Sequence, residues 1–165
     1  WRPRRRQTGE RIGQKKNWKI EGERMENHVS VKALSKKYED LEKGVFLSSK
    51  KVLKHLKRKN LVLEVFIVSD ARIKTLNSKF RGKDKSTNVL SFELKSWPAF
   101  VSEQKTLRLI GEVYIAPDYI HLKKESLERM LTHGILHLLG YDHQKKGDSI
   151  RMENLEKKVF RRLGF

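Results

Sequence analysis

Three of the six histidines fall within one short stretch of the sequence, THGILHLLGYDH. His133 and His137 are four residues apart, so on a helix their imidazoles project from the same face and can share one metal ion. Gly140 follows them and suits the left-handed residue that ends a helix, which would turn the chain back. His143, in the segment after this turn, could then approach the same ion. The spacing therefore predicts a metal site with three imidazole ligands.

Three neutral imidazoles around one ion leave a fourth position for water, which is typical of catalytic zinc sites rather than structural ones. They also leave the full double positive charge on the ion, which lowers the pKa of bound water from about 15.7 to about 7. A helical histidine pair by itself would favour a solvated or core pair. The third histidine favours a transition metal, with zinc expected and nickel, copper or iron as alternatives.

The histidine spacing also matches the zinc-peptidase pattern H-E-x-x-H-x-x-G-x-x-H, including its glycine at Gly140. In those peptidases the glutamate after the first histidine is the general base. Here that position is Gly134, so peptide hydrolysis would lack its proton acceptor. A metallopeptidase-like zinc hydrolase without the usual glutamate is therefore the alternative interpretation.

The stretch HGILHLLGYDH resembles the signature of the YbeY family, bacterial zinc-dependent endoribonucleases that mature ribosomal RNA. A second segment, LNSKFRGKDKSTNVLSF at residues 76–92, resembles the family block L-N-x-x-[FWY]-R-x-x-D-x-P-T-[DN]-V-L-S-F. The resemblance extends from Val29 to Leu163. Two positions depart from the family pattern. Ser86 replaces the usual proline, which is expected to loosen a turn, and Glu112 replaces the usual aspartate.

The resemblance implies an α+β fold, one zinc ion on the three histidines, and cleavage of single-stranded RNA in the cytoplasm. The implied substrate is precursor 16S rRNA, in late maturation of its 3′ end and in ribosome quality control, with the small ribosomal subunit and its associated proteins as partners and no membrane. The resemblance also implies that Arg81 faces the metal across the cleft and is catalytic together with His133. Position alone favours a solvated loop arginine, although a guanidinium can bind phosphate bidentately.

Five further side chains are candidates for supporting roles. Lys83 and Lys85 are expected to contact the RNA backbone without reading its sequence. Asp142, next to the third histidine, could orient a ligand imidazole or stabilise the turn. Ser91 is a candidate to line the cleft, and Glu112 a candidate for a positioning role. A third interpretation of the whole chain, a non-catalytic ribosome-assembly factor with a structural metal, also remains open.

Composition limits the class of protein. The chain has 165 residues, a net charge of +18 and no cysteine, which excludes a disulfide scaffold and any cysteine-ligated metal site. No apolar run approaches the length of about 18 residues that spans a bilayer. The basic balance predicts a polyanionic partner, with nucleic acid first and an anionic membrane surface second.

The first 24 residues contain nine basic and three acidic residues and show no apolar periodicity. They are predicted to be a disordered extension, consistent with a start codon assigned upstream of Met25, and a nucleic-acid-binding arm is the alternative. Residues 25–165 are predicted to be one domain, which by itself still carries a net charge of +12.

The elements that position the candidate residues follow from the hydrophobic pattern. The predicted order is a strand around Val29–Ala33, a helix at 45–59, a strand at 61–68, a helix capped by Ser69 or Asp70, a polar loop at 81–87, a strand at 88–94, a loop at 95–108, a strand at 109–116, a helix from Pro117 to Gly140 and a last helix capped by Asp148. Strands separated by helices favour parallel pairing, and the two consecutive strands favour one antiparallel neighbour. The expected fold is a mixed four-stranded sheet with about four to five helices.

Overall fold

The structure of the protein is a computed structural model that describes residues 26–94, 100–102, 105–141 and 146–165. Its elements, in chain order, are β1 (His28–Ala33), a 3₁₀ helix (Lys36–Leu41), α1 (Glu42–His55), β2 (Leu61–Ile67), α2 (Asp70–Arg81), β3 (Val89–Glu93), β4 (Phe100–Ser102), β5 (Lys105–Ile115), α3 (Pro117–Leu122), α4 (Leu127–Leu138) and α5 (Lys146–Leu163). The predicted extension at 1–24 lies outside the described residues, as do Asp142 and His143.

The sheet has the strand order β1-β2-β5-β3. β1 pairs with β2 and β2 with β5 in parallel, whereas β3 runs antiparallel to β5. β4 is a short strand that pairs antiparallel with the beginning of β5. The mixed sheet, its central strand at β2 and its antiparallel neighbour confirm the predicted α+β fold.

The helices cover the sheet unequally. α1 and α4 pack on one face, where side chains such as Leu53, Leu131 and Ile135 are fully buried against the strands. Burial of one such side chain stabilises the fold by about 1.5–3 kcal/mol. α2 lies on the other face, over a smaller cluster that includes Ile73 and Leu90. The histidine helix therefore belongs to the main core, which fixes its backbone.

Three boundaries differ from the sequence-based expectation. Part of the predicted loop at 95–108 is β4 and the first residues of β5. The single helix predicted from Pro117 to Gly140 is two helices, because the chain breaks at residues 123–126, where Lys124 has a φ of 55°. α5 already begins at Lys146, so Asp148 lies in its first turn rather than at its cap.

A bulge in β5 depends on Gly111. The pairing of β2 with β5 slips by one residue there, and Gly111 has a φ of 141°. A Cβ at this position would collide with the carbonyl oxygen of Phe92 on β3. Only glycine combines this backbone conformation with so close an approach of the neighbouring strand.

Among the residues that the structure describes, no helix is both long and apolar enough to cross a membrane.

Candidate active site

Helix α4 presents the two central histidines. It begins at Leu127 and is capped by Ser126, whose hydroxyl accepts a hydrogen bond from the backbone N–H of Arg129 at 3.3 Å. Most of the helix is buried, and His133 and His137 lie on its half-exposed stripe, one turn apart. The core side chains on the other faces of α4 hold both histidines in place, so the predicted pairing on one helix face is confirmed.

The two imidazoles converge on one point. Their Nε2 atoms are 3.1 Å apart, and the rings lie at 83° to each other with centroids 4.6 Å apart. Two nitrogens bound to one tetrahedral zinc at about 2.0–2.1 Å would be about 3.3 Å apart. The spacing of His133 and His137 therefore fits two ligands of a single zinc ion, with little change of side-chain position.

A buried carboxylate lies behind the first histidine. Oε1 of Glu156, on α5, is 2.6 Å from Nδ1 of His133, and Glu156 is only 8% exposed. A carboxylate accepts hydrogen bonds, so Nδ1 of His133 is the donor in this contact, and Nε2 is the ring nitrogen turned towards His137. This is the arrangement by which a carboxylate orients a metal-binding imidazole.

Sequence reasoning missed Glu156, although the signal was present. Met152 and Val159 mark the buried stripe of α5, and Glu156 is four residues after the first and three before the second. It therefore falls on the apolar face of the helix. A carboxylate on such a face needs a partner to offset its desolvation, and the histidine cluster was the available one.

The third predicted ligand follows the end of α4. His143 lies outside the described residues, and so does Asp142, the candidate for orienting a ligand. Gly140 has a φ of 87°, the left-handed conformation expected where the chain turns after α4. Within the described ranges no three histidine, aspartate or glutamate side chains converge as a metal site. The predicted three-histidine metal site therefore stays a prediction.

The basic candidates lie at the end of α2. Arg81 is the last residue of that helix rather than part of the loop, and its side chain is exposed. Gly82 follows in the left-handed conformation with a φ of 67°. Lys83 and Lys85 are also exposed, and the loop is held by Asn77, whose amide donates to the carbonyl of Lys85 at 2.7 Å. The end of α2 and the loop after it thus present three exposed cations, an arrangement that suits contact with a phosphate chain.

Ser91 and Gly134 join the edge strand β3 to the histidine helix. The Ser91 hydroxyl donates to the carbonyl of Gly134 at 3.1 Å. A Cβ on Gly134 would lie 2.9 Å from Cγ1 of Val113 and 3.1 Å from Cγ2 of Val89. The position next to His133 therefore points into the sheet, and the absence of a side chain there allows α4 to pack closely on it.

Glu112 lies on the other face of the sheet. Val113 contacts α4, so its neighbours Glu112 and Tyr114 point away from it. The Tyr114 hydroxyl donates to Glu112 at 2.8 Å, and burial together with this bond raises the pKa of Tyr114. Phe92 packs between Phe80 and Tyr114 in an aromatic cluster on that same face. Glu112 therefore points to the face of the sheet opposite α4.

Comparison with known proteins assigns the chain to a family. The family model described as "Endoribonuclease YbeY" matches residues 24–164, which include both histidines, Glu156 and Arg81. The chain belongs to the YbeY family. The match begins at the end of the predicted basic extension, so the first 23 residues are outside it.

Several curated YbeY proteins are similar along much of their length. "Endoribonuclease YbeY" of Buchnera aphidicola subsp. Schizaphis graminum is 37% identical over 84% of this chain and 86% of its own. That of Aquifex aeolicus is 35% identical over 85% of this chain and 89% of its own. For that of Nitrobacter hamburgensis, 39% identical, the match covers 62% of this chain and only 58% of the relative. A solution structure of a Thermotoga maritima protein is 25% identical, with a TM-score of 0.48, over 82% of this chain and 91% of that one.

One departure from the YbeY pattern has a structural compensation in this chain. Ser86, in place of proline, donates its hydroxyl to the carbonyl of Asp70 at 3.0 Å. This bond ties the loop after α2 to the first residue of that helix. The expected loosening of the turn is therefore offset by a side-chain hydrogen bond.

Proposed function

We propose that this chain is a metal-dependent endoribonuclease that cleaves single-stranded RNA. The observation that carries the proposal is the convergent pair of Nε2 atoms on His133 and His137, backed by the buried carboxylate of Glu156. Membership of the YbeY family supports RNA as the substrate. The net charge of +18 is consistent with a polyanionic substrate.

In this proposal His133, His137 and His143 hold one zinc ion. When bound, the ion supplies positive charge and Lewis acidity beside the scissile phosphodiester. Glu156 holds the proton on Nδ1 of His133, so that Nε2 keeps its lone pair for the metal. Arg81 donates two parallel hydrogen bonds to the phosphate, and its charge opposes the negative charge that develops there during cleavage.

We also propose a cellular role in maturation of the 3′ end of precursor 16S rRNA and in ribosome quality control, on the small ribosomal subunit in the cytoplasm. The support is the family relationship together with the basic charge. Cells depleted of the protein are expected to accumulate 16S rRNA with unprocessed 3′ ends, which sequencing of those ends would measure.

The biochemical test combines metal content with RNA cleavage. Purified protein is expected to hold about one zinc per chain and to cut a single-stranded RNA, and a chelator should stop cleavage until zinc is restored. His137→Ala should lose both zinc and cleavage, because two ligands rarely retain zinc. His121→Ala is the matched control, since that histidine is exposed on α3 and away from the pair.

Two results would contradict the proposal. Full zinc content in His137→Ala would show that the histidine pair does not bind the metal. A zinc-loaded parent that binds RNA but never cuts it would favour the assembly-factor interpretation instead. The peptidase interpretation is the weaker one, because Gly134 points into the sheet and supplies no base.

A further inference from the structure

A concave groove lies between the C-terminal end of α1 and the solvent side of α5. It has a volume of about 680 Å³ and is lined by His55, Asn154, Lys157, Lys158, Arg161 and Arg162. Four of these six side chains are permanently positive and none is acidic. The groove is therefore a concentrated positive surface formed by two helices.

The charges of the groove are largely uncompensated. Lys157 pairs with Glu153 at 2.7 Å, one turn earlier on α5. In the part of the chain that the structure describes, Lys158, Arg161 and Arg162 form no ion pair. Cations in the last turn of a helix offset its dipole, which accounts for the two arginines. It does not account for the lysines one turn earlier or for His55 on another helix.

The groove is distinct from the candidate active site. Glu156 faces His133, and Lys158 is two residues further along the same helix. Two residues correspond to about 200° of rotation, so these side chains leave opposite sides of α5. Lys158 therefore points away from His133, and neither His133 nor His137 is among the described residues that line the groove.

We propose that this groove binds the phosphate backbone of RNA outside the strand that is cut. The proposal rests on the proposed function, because it takes the same RNA as its ligand. Charge complementarity carries it, and arginine forks suit phosphate oxygens. The described residues that line the groove include no phenylalanine, tyrosine or tryptophan, so contacts with phosphate are expected to dominate and binding to depend little on sequence.

The test neutralises the groove and compares it with an equal loss of charge elsewhere. The groove variant is Lys158→Gln, Arg161→Gln and Arg162→Gln together. The control variant is Lys32→Gln, Lys36→Gln and Lys43→Gln, three exposed lysines near the start of α1. The 14 residues of α1 place the two sets about 20 Å apart along that helix.

Binding of a fluorescent polyuridine strand is measured by anisotropy over a range of salt concentrations. The groove variant should bind a long strand at least about tenfold more weakly at low salt. The plot of log affinity against log salt concentration should become less steep by about 2, because each of the three lost phosphate contacts on a single strand contributes about 0.7 to the steepness. The control variant should change both values much less. A strand of about four nucleotides makes fewer phosphate contacts, so it should lose less affinity in the groove variant than the long strand does.

Single-turnover cleavage separates the groove from the active site. At saturating protein the groove variant should cut at the parental rate, because only affinity is affected. Arg161→Lys with Arg162→Lys keeps the charge and should keep the salt slope, which would also show that the helix tolerates substitution. If the parent binds RNA without cutting it, the proposed nuclease activity is contradicted, whereas the anisotropy comparison still tests whether the groove binds RNA.

Three outcomes would overturn the proposal. Equal losses of affinity in the groove and control variants would show that only total charge matters. A lower maximal cleavage rate with unchanged affinity would place the groove residues in the chemistry. Loss of binding to vesicles of anionic lipid, with RNA binding intact, would assign the groove to a membrane surface.

Discussion

Glu156 is the residue in this structure whose position is hardest to explain without a site beside it. Burial of an ionised carboxylate is unfavourable unless a partner compensates for the lost hydration. The partner here is Nδ1 of His133, at 2.6 Å. The fold therefore places a carboxylate in its interior at a point where it can fix the orientation of an imidazole.

Glu156→Gln is expected to lower zinc affinity by about 10–100-fold while leaving the fold intact. The amide keeps the shape of the side chain, but its neutral oxygen holds the Nδ1 proton of His133 less strongly. Zinc titration against a competing chelator measures the affinity, and nitrogen NMR of the imidazoles reports the tautomer. Glu153→Gln is the control, because that glutamate is exposed and pairs with Lys157 instead. Parental zinc affinity in Glu156→Gln would show that the contact with His133 is only structural.

Arg81→Ala is expected to keep the zinc content and the melting temperature and to lose RNA cleavage. The side chain is exposed, so its truncation leaves no cavity, whereas loss of one charged contact to the transition state typically costs about 10²–10³ in rate. Arg81→Lys should recover only part of the rate, since an ammonium cannot form the bidentate fork. Zinc, melting temperature and single-turnover cleavage are measured on the same preparations. Lys83→Ala is the neighbouring control. A cleavage rate of Arg81→Ala within a few-fold of the parental rate would show that Arg81 takes no part in the reaction.

At the residue scale the sequence predicts what depends on local spacing. The separation of His133 and His137 by one helical turn was enough to place their rings together. Glu156 comes from a different helix, 23 residues after His133, and no spacing rule links positions so far apart. The contact exists only because α5 packs against α4, so it required the structure.

At the scale of elements, the sequence predicted those helices and strands that are marked by a hydrophobic pattern or a capping residue within their own segment. The apolar run of β2 and the Ser69 cap of α2 are of this kind. β4 and the start of β5 are stabilised by pairing with each other, and their polar sequence, such as Lys105–Arg108, gives little local indication. The break before α4 had a signal in Ser126, which was outweighed by an apolar stripe that continued across it.

A hydrogen bond between two elements should make stability depend on pH in the alkaline range. The Tyr38 hydroxyl, on the 3₁₀ helix, donates to Asp118 of α3 at 2.7 Å. Burial is the largest cause and this hydrogen bond the second, and together they raise the pKa of Tyr38 from its ordinary value of 10.0 to about 12. The folded state therefore holds this proton more strongly than the unfolded state. The resulting stabilisation is complete below pH 10 and is lost as the pH rises towards 12.

Tyr38→Phe removes both the bond and this pH dependence. At neutral pH the variant should be less stable by about 1 kcal/mol, the typical net value of one hydrogen bond. The difference in free energy of unfolding from the parent should narrow as the pH rises above 10. Urea denaturation of both proteins at a series of pH values measures it. A difference that stays constant from pH 8 to pH 12 would contradict the assignment of the pKa to Tyr38.

At the scale of the whole molecule, the positive charge does not depend on the N-terminal segment. Residues 25–165 retain +12 of the total net charge of +18. The exposed cations after α2 and the groove beside α5 lie within this part of the chain. Affinity for single-stranded RNA is therefore expected to fall steeply with salt even without the first 24 residues.

Deletion of residues 1–24 should weaken RNA binding modestly and leave cleavage intact. All candidate site residues follow the deletion, and the YbeY family match begins at residue 24. Anisotropy and single-turnover cleavage on the parent and the truncated chain measure the two effects. Loss of cleavage on deletion would make the segment a functional arm and contradict the prediction of a dispensable extension.

The packing around Gly134 also limits how this fold can evolve. A GGA or GGG glycine codon becomes a glutamate codon through one base change, so the peptidase pattern is a near neighbour in sequence space. A side chain at this position would nevertheless meet Val113 and Val89 at about 3 Å, and the sheet would have to give way first. Smaller residues would be needed on two strands before a glutamate could be tolerated. A single mutation is thus enough to encode a glutamate at this position. Several mutations are needed for the fold to accept it, and those that make room must come first.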